Sequence, residues 1–181
     1  MTIRLLLIGI SVCLLVACSG LPGEQAAPES QIGGLTPDSV TTGFFTDLGR
    51  ALKDPALSNT TTRSRWVDQL AAYFAPDERD AQRETLDNTL AGFASDRAKL
   101  AADETLTIEI TFDSPRIISN DGQRALVVLP NASIFMQISR ITDRGPVPYY
   151  EQPISLDRVI GRADGAVPTV KIGNYWFLTE G

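Results

Sequence analysis

The hydrophobic rhythm of the chain changes three times. Leu5 to Ala17 is an almost unbroken apolar run of 13 residues, preceded by Arg4. Residues 19–34, SGLPGEQAAPESQIGG, have no apolar period and are rich in Gly, Pro, Ser and Ala. A helical period begins at Thr36-Pro37-Asp38, where Thr36 can accept a bond from an orphan N–H, Pro37 fits the first helical position and Asp38 suits the positive end of the dipole. Val40, Phe44, Phe45, Leu48, Ala51 and Leu52 then draw one stripe of period 3.6, which Asp54-Pro55 ends. A second helix is predicted from about Thr62 to Phe74, with Trp66, Val67, Leu70, Ala71, Tyr73 and Phe74 on one broad side and Ala75-Pro76 as its stop. A third runs from Asp77 to about Leu100 on Leu86, Leu90, Phe93 and Leu100.

From Thr105 the period becomes two. Leu106, Ile108, Ile110 and Phe112 alternate with Thr107, Glu109, Thr111 and Asp113, the pattern of a half-buried strand. Pro115 to Ser119 and Gln123 to Leu129 flank Asn120-Asp121-Gly122, whose Asp-Gly pair supplies the positive φ of a tight hairpin. A further strand is expected from Ser133 to Ile141. Residues 142–153 contain Gly145, Pro146, Pro148 and Pro153 and read as a loop or broken edge carrying Tyr149 and Tyr150. Strands resume at Ile154 to Ile160 and at Val170 to Leu178, the latter interrupted by Gly173-Asn174. No internal repeat is found. Helices first and antiparallel strands afterwards define an α+β domain with its helices on one face of a sheet.

The apolar opening is shorter than the roughly 20 residues of a bilayer-spanning helix. Its charged start and the small residues before Cys18 describe a secretory signal that is removed. Leu15-Val16-Ala17-Cys18 resembles the lipobox of bacterial lipoproteins; the alternative is an ordinary secretory signal that holds a cysteine. The resemblance implies cleavage after Ala17, a thioether from the Cys18 sulfur to diacylglycerol and further acylation, with palmitate among the chains. Several acyl chains anchor far more firmly than one. The expected layout is therefore a signal peptide at 1–17, a flexible tether at 18–34 and a domain at 35–181. Treated as a flexible coil, the tether holds the domain about 20 Å from its anchor on the extracytoplasmic side of a bacterial membrane.

Composition narrows the chemistry. Without residues 1–17 the chain has 15 Lys and Arg against 22 Asp and Glu, a balance of −7. That sign argues against nucleic acid and against adsorption to anionic headgroups. Cys13 leaves with the signal and Cys18 is modified, so no thiol remains for a disulfide or a metal. Histidine is absent, which removes the usual neutral-pH base, the usual imidazole ligand and every Ser-His or Cys-His arrangement. No D-x-D-x-D-G calcium loop accompanies Asp77, Glu78 and Asp80, which instead suit the start of a helix. No Gly-rich phosphate loop is present either, so no cofactor and no metal is expected. Asn59-Thr60-Thr61 and Asn131-Ala132-Ser133 match a glycosylation sequon that bacteria usually leave unused.

The capped first helix with Phe44-Phe45, the helical stretch ending in Tyr73-Phe74, the meander from Thr105 and the closing Asn174-Tyr175-Trp176 together resemble the NTF2-like, or cystatin-like, superfamily over residues 35–181. That resemblance implies a strongly curved sheet wrapping the helices into a cone with a pocket at its wide end. It leaves three functions open. One is a lipid-anchored, non-catalytic domain that binds a small apolar ligand or an envelope protein, its pocket lined by Trp66, Phe74, Phe93 and Trp176, with Tyr73 in the same aromatic set; core packing is the preferred reading of these rings, since a domain of this size needs large apolar side chains. Another is a lyase or isomerase in which Asp113 or Asp157 is the base and Tyr149 or Tyr150 the phenol. Here the plain alternative is that Asp113 caps a turn, Asp157 faces water beside Arg158 and the tyrosines cover a loop. The third is a structural homodimer formed through the open sheet face, which the Thr and Glu alternation at 105–113 disfavours.

Overall fold

Side-chain caps set where the first two helices begin. The computed structural model describes residues 33–155 and 165–180, and in it the first helix, α1, spans Pro37–Lys53. Thr36 Oγ1 accepts from the Ser39 N–H at 3.3 Å and Ser39 Oγ from the Thr36 N–H at 3.1 Å, so both orphan donors of a capping box are satisfied. The second helix, α2, covers Thr60–Ala71 and starts earlier than the apolar pattern implies. Its cap is Asn59, whose Oδ1 accepts from the Thr61 and Thr62 N–H groups, which occupies one of the two sequon asparagines. The third, α3, covers Arg79–Arg97. Glu78 precedes it without capping it by side chain; its carboxylate instead accepts from Thr179 Oγ1 at 2.5 Å and the Glu180 N–H at 3.0 Å.

Among the described residues seven strands follow: β1 (Glu104–Thr111), β2 (Arg116–Asn120), β3 (Arg124–Val128), β4 (Ser133–Thr142), β5 (Gly145–Ser155), β6 (Ala166–Ile172) and β7 (Tyr175–Leu178). They form an antiparallel sheet of order β1-β4-β5 and another of order β2-β3-β6-β7. The two are halves of one bent surface. β1 pairs with β4 and β2 with β3, so 104–120 and 124–142 make a single long hairpin folded over near its middle. At the fold Asn131 takes φ 53°, a left-handed conformation that Asn tolerates, and its Nδ2 donates to Asp113 Oδ2 at 2.7 Å. The Asp113 N–H also donates to the Pro130 carbonyl at 2.9 Å. Because α1 touches β1 in one half and β2, β3, β6 and β7 in the other, the sheet curves round it. This is an α+β fold with N-terminal helices on a curved antiparallel sheet.

Val40, Phe44, Phe45, Leu70, Leu90, Ile108 and Trp176, all buried, belong to one core that joins the helices and the sheet. α2 pairs chiefly with α3 and forms the outer helical layer. The Asn120-Asp121-Gly122 signal does mark a hairpin, though only Gly122 has positive φ, at 88°; Asp121 Oδ1 accepts from the Gln123 and Arg124 N–H groups. Of the two readings of 142–153, a loop or a broken edge, the structure has the edge: β5 pairs with β4 from Gly145 to Ser155, with a register shift that leaves Tyr149 between the partners of Ile138 and Ser139. Proline removes a donor that the outward positions of an edge strand do not use, so Pro146, Pro148 and Pro153 are tolerated there. The expected strand at 154–160 is seen only as the end of β5, and 156–160 lie outside the described residues.

The edge of β7 is covered twice. Gly34 exchanges both main-chain bonds with Trp176 at 3.0 and 2.8 Å, while Leu178 bonds the Tyr73 carbonyl and the Ala75 N–H at 2.9 Å each. Gly33 and Gly34 therefore belong to the folded domain. A Cβ on Gly34 would lie 2.6 Å from the Val40 nitrogen, and one on Gly33 2.7 Å from Tyr175 Cβ.

Candidate functional site

A cavity of about 260 Å3 lies where the C-terminal ends of α1 and α3 approach β1, lined by Leu52, Lys53, Arg97 and residues 106–109. Successive strand residues point to opposite faces, so a cavity that meets four in a row lies against the edge of β1. Arg97 is placed by the end of α1: its Nη1 donates to the Leu52 carbonyl at 3.2 Å and its Nη2 to the Asp54 carbonyl at 2.7 Å. These satisfy carbonyls that the helix leaves unpaired. The guanidinium also rests 5.7 Å from the Phe93 ring centroid. Among the described residues Lys53, Arg97 and Glu109 form no ion pair, although the Arg97 charge also acts on the neighbouring Asp54 carboxylate, so the lining carries two cations and one acid without a salt-bridge partner.

The residues expected in an aromatic pocket are distributed through the packing. Trp66 donates its Nε1–H to Asp54 Oδ2 at 2.8 Å, and this bond, with the Ala56 N–H to Oδ1, holds the Asp54 carboxyl below its ordinary value. Phe74 meets Phe44 edge to face at 5.4 Å. Phe93 lies under Arg97, and Trp176 is buried on β7. Among the described residues Trp66, Phe93 and Trp176 make no ring contact with one another or with Phe74.

The acid and phenol candidates are likewise apart. Asp113 is exposed at the sheet bend and held by Asn131. Tyr149, also exposed, donates to Glu104 Oε1 at 2.7 Å beneath Arg140, which lies 5.3 Å from its ring centroid. That bond raises the Tyr149 phenol, while the Ala101 N–H and then Tyr149 lower the Glu104 carboxyl. Tyr150 bonds Gln152. Along the register, Asp113 lies beyond Thr111 whereas Tyr149 sits beside the partners of Thr105 and Leu106, six or more residues away, about 20 Å at strand rise. Cys18 and Asp157 lie outside the described residues.

An acid and a phenol do meet elsewhere. Asp47, buried on α1, accepts from Tyr73 Oη and Gln69 Nε2 on Oδ2, both at 2.8 Å, and from Arg50 Nη1 on Oδ1 at 2.9 Å. Burial first, and then the bond to Asp47, push the Tyr73 phenol well above its ordinary value. Gly43 makes room for this ring, since a Cβ there would be 2.8 Å from Tyr73 Cε1. The network lines no part of the cavity. Its sequence signal was the spacing 40, 44, 47, 51, which places Asp47 within the apolar stripe of α1. Among the described residues no three Asp, Glu, His or Cys side chains come close enough to hold a metal. No protein-family model matches the chain, and no curated protein is similar to it.

Proposed function

We propose that this chain is a lipid-anchored extracytoplasmic domain of NTF2-like type that acts by binding an envelope protein and not by catalysis. The anchor rests on Cys18 after the Leu5 to Ala17 run; the family resemblance is supported by helices followed by a sheet bent around the first of them. One observation carries the choice of binding over catalysis: the buried carboxylate, Asp47, already accepts three hydrogen bonds and lies away from the cavity, which itself contains no phenol. A general base must instead reach the proton it takes. A protein partner is favoured over a small apolar ligand because the aromatic rings are spent on packing and on bonds within the fold. The cavity is also smaller than the roughly 300–1,000 Å3 of drug-sized ligand sites, and charged.

Cys18→Ala tests the anchor, because no other residue there can form the thioether. The variant should leave the membrane fraction or remain unprocessed. Retention at wild-type levels with the signal removed would overturn the lipoprotein assignment. Pull-down of the membrane-extracted protein against envelope extract, compared in wild type and Lys53→Glu, tests whether the cavity edge takes part in binding.

A further inference from the structure

The free edge of β1 offers more than a charged hollow. Ile141 donates its N–H to the Asp103 carbonyl at 2.7 Å, which turns the main-chain groups of Asp103, and by alternation those of 105, 107 and 109, toward β4. The N–H and C=O groups of Leu106 and Ile108 then point the other way, into the cavity edge, and neither residue makes a main-chain bond outside the β1–β4 ladder. The remaining outer edges are protected: prolines stud β5, Gly34 and Tyr73–Ala75 cover β7, and β2 carries a bulge between Ile117 and Ser119. β1 has neither a proline nor a bulge, and its register with β4 is regular over eight pairs.

We propose that this edge accepts the C-terminal tail of a partner protein as an added strand, with the tail's carboxylate held by Lys53 and Arg97. The proposal rests on the reading that the domain binds a protein, and it names the segment bound. Three features fit one another. Leu106 and Ile108 present a donor and an acceptor each to an extended main chain, the mode in which edge strands capture peptides. The cavity spans four residues of β1, about 13 Å, which suits a tail of three or four residues and not a strand that passes through. Lys53 supplies positive charge with no ion-pair partner among the described residues and Arg97 adds to it from the end of α1, where Asp54 shares part of its charge, while Glu109 on the same stretch disfavours a second carboxylate within the tail.

Hydrogen exchange of the mature, acylated chain in detergent micelles tests this. The ligand added is an N-acetylated hexapeptide of alternating threonine and valine with a free C-terminal carboxylate. At millimolar concentration it should slow exchange of the β1 amides at least about tenfold, leaving those of β7 unchanged. The same peptide amidated at its C-terminus should bind about tenfold more weakly, and a version N-methylated at alternate residues should give no protection. Lys53→Ala, at an exposed position, should weaken the carboxylate form toward the amide form. Unchanged β1 exchange, or equal protection by acid and amide, overturns the proposal. A protein that still captures its envelope partner through another surface while β1 stays unprotected would keep the binding function and discard this site.

Discussion

Tyr73→Phe isolates a single buried bond. The ring sits edge to face with Phe44, centroids 6.0 Å apart, and beside Gly43, so the substitution keeps its shape and removes only the hydroxyl that donates to Asp47. A hydrogen bond to a charged acceptor contributes about 1.5–3 kcal/mol. Asp47 is buried and keeps Arg50 and Gln69, which limits the loss to the lower part of that range, about 2 kcal/mol. For a domain of this size that corresponds to a drop in Tm of about 4–8 °C. Urea unfolding at neutral pH measures it, with the slope m unchanged because no surface is newly exposed. In an Asp47→Asn background the same substitution should cost less than half as much, since the charge that strengthens the bond is gone. A loss below about 0.5 kcal/mol in the wild-type background, or equal losses in both, would refute the claim that this phenol is bound by the Asp47 carboxylate.

Gly34→Ala should destabilise by more than about 2 kcal/mol, because its Cβ would press on the Val40 main chain; Gly92→Ala, with open space around it on α3, should gain about 0.5–1 kcal/mol in the same thermal assay. A chain beginning at Leu35 should lose the two Gly34–Trp176 bonds and about 1–2 kcal/mol against one beginning a few residues earlier. Asp54 titrates low in the fold, so its stabilisation is present at neutral pH and lost as pH falls through that lowered value. Trp66→Phe removes the largest cause, and should lower stability at neutral pH while shrinking the acid-side loss. Glu78 is raised, first by burial, so acidification toward the ordinary glutamate range should raise Tm, and Glu78→Gln should flatten that rise.

Local chemistry was readable where it acts locally. Thr36-Pro37 marked the start of α1 and its stripe was read residue by residue, because capping and period are properties of a few neighbours. For β5 the sequence left loop and broken edge open, because Pro146 and Pro148 break only a strand whose N–H groups are needed, and an edge position is a fact of tertiary pairing. Gly33-Gly34 read as tether for the same kind of reason: glycine marks freedom and close approach alike, and only the Trp176 pairing separates the two. Asp47 falls on the apolar stripe of α1 by its spacing, but nothing in the sequence names Tyr73 and Gln69 as its partners. Lys53 and Arg97 gave no signal, since what joins them is the convergence of two helix ends on β1.

The described chain enters the fold through Gly34, paired with Trp176, and leaves it through Leu178 to Glu180, so entrance and exit share one strand. In the bent sheet the long β1–β2 strand is one border, and β5 and β7 form the other in their two halves. Load applied through either end therefore falls on the β7 border, where Gly34 holds by a single two-bond pair that can peel open, while the hairpin behind β1 stays outside the line of force. A fluorescent protein or surface linker joined directly after Glu180 would sit at that border and leave the opposite one clear.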